Sequence, residues 1–165
     1  MDLVITDAAR ALIGVESPPI THHIERSWLK HFAQSIYWPA TPNPLYFDEE
    51  YAKKTPFGDI IAAPTFATRV RWMGGQSLKV NDLLGPPTVG MNGGSDYEIL
   101  KPIRPGDVLT ARGHLASLKE SPRPDGGVLV IVRFAGRVDN QKGERVLNTG
   151  STGLRIYGPH QVRKS

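Results

Sequence analysis

The sequence contains no cysteine. That absence excludes a disulfide framework, thiolate metal sites and a cysteine nucleophile, and it fits an intracellular setting. No segment approaches the roughly 20 consecutive apolar residues of a membrane helix. The opening residues Met1-Asp2-Leu3-Val4-Ile5-Thr6-Asp7 lack a basic region followed by a long apolar stretch, so a leader is not expected and the chain reads as a soluble cytoplasmic protein. Neither G-x-G-x-x-G nor a G-K-[ST] ending occurs, which argues against nucleotide chemistry. Histidine is sparse: His22 and His23 are adjacent and would face opposite sides of a strand, and His31, His114 and His160 stand alone. No metal site is expected from that inventory.

What is present is a chain of 165 residues, 39% of them hydrophobic. At this size one domain buries roughly two-thirds of its unfolded surface, and two domains would be cramped. We therefore read residues 1–165 as one domain, with a core over 17–157 and a tail over 158–165. Net charge is +4. The basic residues are scattered among apolar and acidic ones rather than gathered on a stripe, so no nucleic-acid partner is expected.

From Ile20 to Trp38 the apolar residues Trp28, Leu29, Phe32, Ala33 and Ile36 recur at helical spacing. The prolines at 39, 42 and 44 stop that pattern. A short helix is expected over 48–53, with acids first and lysines last, as the helix dipole prefers. Another is expected from Pro64 to Met73, with proline near its start and Gly74-Gly75 past its end. Beyond Pro87 the texture becomes strand-like. Strands are expected over 88–100, 107–119, 128–134 and 144–157, joined at Pro124–Gly127 and Asn140–Gly143 by hairpin turns. Helices followed by an antiparallel meander define an α+β domain, and the simplest burial wraps the sheet around one helix.

The stretch Asn43-Pro44-Leu45-Tyr46-Phe47-Asp48-Glu49-Glu50-Tyr51-Ala52, then Gly58, then Ile61-Ala62-Ala63-Pro64-Thr65-Phe66 resembles the signature of MaoC-like dehydratases, in the fatty-acid-synthase type-I-like branch. Gly93-Gly94, Asp96-Tyr97-Glu98 and Pro102-Ile103-Arg104-Pro105-Gly106-Asp107 follow in that family's order, so the resemblance spans about residues 17–157. It implies a hot-dog fold, an antiparallel sheet around a central α-helix. It also implies a ligand carried as a thioester of coenzyme A or acyl carrier protein, which is substrate rather than cofactor. The implied reaction interconverts enoyl and 3-hydroxyacyl thioesters, in a homodimer or in a hetero-oligomer with a second hot-dog subunit.

Active members of that family hold water with an aspartate and a histidine in the pattern D-x-N-P-[LIV]-H. Here those positions are Thr41 and Tyr46, and a further family histidine before the paired glycines is Asn92. None of the three is a useful base near neutral pH. A tyrosine at the histidine position is common in half-sites whose dyad comes from a partner. Asp96, sharing a strand face with Glu98, is a further catalytic candidate, the alternative being a solvated face. For binding the acyl group and its carbonyl oxygen the candidates are Asn43, Ala63, Gly93, Gly94 and the amides of Thr65 and Phe66. Alanine before the Pro64 helix leaves its first amides without a side-chain cap, although a tight turn filled by water explains the same alanines. Arg69, Arg71 and Arg104 are candidates for coenzyme A phosphates, against plain surface charge.

Overall fold

The computed structural model describes residues 4–162; the first three residues of the opening segment and the last three of the tail lie outside them. The chain begins with a short helix α1 (Asp7–Arg10), capped by Thr6, whose hydroxyl accepts from the Ala9 amide at 3.0 Å. A four-residue strand β1 (Ile20–His23) follows. The helix expected across 20–38 is confined to α2 (Arg26–Tyr37), because residues 20–23 pair with a later strand instead. α3 (Glu49–Ala52) starts where Asp48 accepts the Tyr51 amide at 3.0 Å.

The largest departure from expectation is the segment after Ala63. Instead of a continuous helix to Met73, Pro64–Arg69 forms a 3-10 helix, Val70 turns extended, and α4 (Gln76–Leu84) begins only after Gly75 at φ 82°. Two physical reasons account for the break. Thr65, Thr68 and Val70 are β-branched and stiff in a helix. Trp72, meanwhile, is pulled onto the sheet, where Gly113 and Gly136 leave room for it; a Cβ on Gly113 would lie 2.6 Å from the Trp72 carbonyl, and one on Gly136 would overlap the indole. Phe66 and Ala67 are nevertheless buried, and Trp28 and Phe32 of α2 meet the Phe66 ring edge-on at 4.8 and 5.3 Å.

The four expected strands are present as β2 (Val89–Ile99), β3 (Val108–Pro122), β4 (Val128–Asp139) and β5 (Arg145–Tyr157), but only β3, β4 and β5 form a meander, because β2 crosses to the far edge and pairs with β5 instead of β3. All pairings are antiparallel, in the order β1-β3-β4-β5-β2. The two hairpin turns place Gly126 and Gly143 at φ 80° and 75°, values that glycine adopts without strain. The sheet curls around the 3-10 helix, Trp72 and the Val80 face of α4, whose apolar side chains share one core with the inner faces of β3, β4 and β5. This is the hot-dog arrangement, with the central helix broken in two. Part of the anticipated tail is held: Pro159–Gln161 form a 3-10 turn, and the Gln161 side chain donates to the Pro86 carbonyl at 2.9 Å. Among the described residues no helix is long and apolar enough to cross a membrane.

Candidate active site

The Asn43–Tyr46 motif builds one wall of a cavity. Asn43 is exposed, and its side-chain oxygen accepts the Leu45 amide at 3.0 Å, starting a 3-10 turn with Pro44 at its first position. Asn43 is thus a cap that aims Tyr46 rather than a group facing the cavity. The opposite walls are Ile61–Pro64 and the Ile99–Ile103 segment that ends β2, closed by Phe57 and Ala67, around a volume of about 260 Å³. The walls are stitched together by backbone: the Ala62 amide donates to the Ile103 carbonyl at 2.9 Å, and the Ile61 amide to the Leu45 carbonyl at 3.3 Å.

Charged clamps hold the outside of this cavity. Arg26 donates to both oxygens of Asp59 at 2.6 and 2.8 Å and lies 3.4 Å from Glu49, which also receives Lys30 at 2.5 Å. The Arg26 hydrogen bonds hold the Asp59 carboxyl below its usual range, against an opposing push from burial. Arg104 donates to the Phe57 carbonyl at 2.6 Å. That side chain, a candidate for phosphate binding, thus has one of its donors holding the Phe57 turn.

Among the described residues that line the cavity, two are titratable, Tyr46 and Lys101. Burial, and to a lesser degree Tyr37, push the Tyr46 hydroxyl above its ordinary value, so it stays protonated and keeps a proton to offer. Lys101 is engaged by Glu144 at 2.5 Å. Of the two helix-start amides, Phe66 donates to the Ala63 carbonyl at 2.8 Å, because a 3-10 turn bonds each amide to the third residue before it. The Phe66 amide is thus not free for a ligand. The amides of Ala63 and Thr65 have no acceptor among the described residues, and Ala63 lies in the cavity wall whereas exposed Thr65 does not.

The other candidates lie elsewhere. Thr41 is exposed in the loop before the Asn43 turn. Asn92 accepts the Gly94 amide at 2.9 Å and so folds a bulge in β2 in which register shifts between Asn92 and Gly94. Gly93 approaches β5 at that bulge, where a Cβ would stand 3.1 Å from Leu154 Cγ. Asp96 points away from the cavity: it is three residues from Ile99, hence on the opposite face of β2, and it pairs with Arg133 at 2.6 Å. Arg69 and Arg71 are exposed and outside the cavity wall. Among the described residues no group of histidines and carboxylates could hold a metal ion. The sequence reading missed Phe57 and the Ile99–Leu100 wall; the sign available was an apolar pair ending a strand directly before Pro102.

A curled sheet around a broken helix, with an alanine-led turn opposite a motif tyrosine, places this chain in the MaoC-like hot-dog class. Residues 11–149 match the family model described as FAS1-like, dehydratase domain region, and the chain belongs to that family. A relative named only as "UPF0336 protein" in Streptomyces avermitilis is 27% identical over 140 residues, covering 84% of this chain and 88% of the relative. Among solved structures, the MaoC-like dehydratase from Rhodospirillum rubrum is 24% identical with a TM-score of 0.62, covering 89% of this chain and 94% of that one. The C-terminally truncated HadBC (3R-hydroxyacyl-ACP dehydratase) complex from Mycobacterium tuberculosis is 22% identical with a TM-score of 0.65, covering 86% and 96%.

Proposed function

We propose that the chain is the acyl-binding subunit of an enoyl-thioester hydratase or 3-hydroxyacyl-thioester dehydratase whose Asp-His dyad is supplied by a second hot-dog subunit. The observation that carries this is the make-up of the cavity: apolar walls, a protonated phenol, an uncapped backbone turn, and no base. Adding water to an enoyl thioester needs a group that takes a proton from that water and one that protonates the α carbon, with donors for charge growing on the thioester oxygen. Within the cavity, the Tyr46 hydroxyl and the Ala63 amide are suited to the last of these and to nothing else.

The position of the cavity supports a partner. Its Ile99–Leu100 wall ends β2, an edge strand with no neighbour on its outer side, and both residues are about half exposed. Unpaired edge backbone is a template for another strand, and a subunit seated there would roof the cavity. HadBC, a dehydratase named as a complex of two components, gives a precedent for such an arrangement.

The test mixes purified chain with crotonyl-CoA and follows loss of the enoyl absorbance, alone and with a hot-dog subunit that carries the dyad. No hydration alone and hydration in the mixture are expected, with Tyr46→Phe lowering the mixed rate about tenfold or more, as loss of a transition-state donor does. Hydration by the lone chain would remove the partner from the proposal. A second reading, an acyl-thioester binding protein without catalysis, follows from the same missing base. It predicts coenzyme A thioester binding with no turnover in any mixture.

A further inference from the structure

A second recess, of about 810 Å³, lies at the other end of β2, between Gly90 and Met91 of that strand, Gly153–Arg155 of β5 and the Asn81–Gly85 end of α4. Nine strand steps separate Gly90 from Ile99, about 30 Å, so this recess is distinct from the acyl cavity. Its wall carries Arg155, whose position on β5 opposite Gly90 turns it to the inner face of the sheet.

Arg155 is half-buried and, unlike the ion-paired arginines, holds no carboxylate. Arg26, Arg133, Arg137 and Arg145 each hold a carboxylate. The Arg155 Nη1 is buried with no hydrogen-bond partner, and no carboxylate of the described residues lies within 4 Å of its guanidinium. Its neighbour is the Tyr157 hydroxyl, which donates to the Gly85 carbonyl at 3.2 Å and therefore brings no negative charge. A guanidinium does not shed its proton, so a shielded Nη1 without an acceptor is stabilised by an anion from outside. The recess is also roomy for a reason of sequence: a Cβ at Gly153 would meet nothing within 4 Å. The single acid in the wall, Asp82, is exposed on α4 and unpaired with Arg155.

We propose that the Arg155 recess binds a phosphate group. The forked guanidinium matches phosphate oxygens in pairs, and the volume exceeds what a lone carboxylate fills. Resting on the acyl-thioester reading, the source of that phosphate is the carrier of the acyl group. If two copies join antiparallel along β2, the Gly90 end of one strand lies beside the Ile99 end of the other. One copy's recess then faces its partner's acyl cavity, and a ligand with an apolar end and a phosphate end spans both.

The test titrates the full chain with inorganic pyrophosphate by calorimetry and repeats it with coenzyme A present. Arg155→Met is expected to weaken pyrophosphate binding at least tenfold. Gly153→Val, which fills the recess from a strand position with open space, should do the same, and it carries the test if the first variant does not fold. Asp82→Asn should tighten binding several-fold by removing the only negative wall charge. Pyrophosphate binding that is absent, or unchanged in both Arg155→Met and Gly153→Val, overturns the site. Binding that depends on Arg155 but is not displaced by coenzyme A keeps the phosphate site and overturns the carrier as its source. Arg155-dependent binding in a chain inactive in every hydration mixture keeps the site while the hydratase reading falls.

Discussion

β4 and β2 belong to the same sheet and are nearly equal in length, yet they are stabilised in different ways. In β4, Val128, Val130, Val132, Phe134 and Val138 are buried. In β2 no residue is buried, and Val89, Met91 and Ile99 are more than 40% exposed. β4 is specified by its own chain, with period-2 burial that leaves one register possible. β2 carries Gly90, Asn92 and Ser95 where inward apolar residues would stand, and apart from Tyr97, which packs against the core, and the Asp96–Arg133 pair it is held by its pairing to β5. A strand so poorly covered is the edge at which the proposed second subunit would pair. The sharpest way to break the comparison is to truncate both strands. Phe134→Ala should cost about 4 kcal/mol by cavity formation and lower the melting temperature by roughly 8–16 °C. Met91→Ala should change the isolated chain by less than about 0.5 kcal/mol. Equal losses in thermal melts at low protein concentration would show that β2 is already covered within one copy.

A second contrast lies between the seat of Trp72 and the clamp on the cavity, one purely steric and the other electrostatic. Gly136→Ala places a methyl where the indole packs, which should cost about 2 kcal/mol at any pH, read as a lowered urea midpoint. Asp59→Asn removes the acceptor of both Arg26 hydrogen bonds and should cost about 1 kcal/mol, a figure already reduced because both side chains are more than a third exposed. The sign with pH follows from the depressed Asp59 carboxyl. Its stabilisation is complete above the unfolded value near 4 and is lost as pH falls through the lower folded value. Urea midpoints of wild type and Asp59→Asn should therefore draw together as pH falls below the unfolded carboxylate value of about 4, while those of wild type and Gly136→Ala stay apart.

The strands were legible because their signals are local: alternation in Val128–Phe134 and turn residues at Pro124–Gly127 act within a few positions. The hot-dog fold was legible because ordered motifs from Asn43 to Asp107 agree with it. The helix at Pro64–Met73 was misjudged where a distant partner decided the outcome, since nothing near Trp72 announces that Gly113 and Gly136 will lie beneath it. β1 was hidden for the same reason: Ile20–His23 has its only pairing with β3, nearly 90 residues later. In the cavity, Tyr46 of the motif lines a wall, but the positions of Arg104 and of the Phe66 amide depended on hydrogen bonds to Phe57 and Ala63 that spacing alone does not fix.

The smallest expected effect concerns Asp96, where motif position and side-chain direction part company. Its carboxylate crosses Gly150 to reach Arg133, a crossing that only glycine allows because a Cβ at 150 would collide with both side chains. The pair is on the outer face, with Asp96 61% exposed, and Arg133 keeps a second hydrogen bond to Thr152 at 3.1 Å. An exposed pair whose cation retains another partner contributes less than about 0.5 kcal/mol. Asp96→Asn should accordingly leave the melting temperature nearly unchanged, and it should leave hydration in the mixed assay at the wild-type rate. A large loss of rate with an intact melt would mean that the outer face of β2, and not the Tyr46 cavity, meets the substrate.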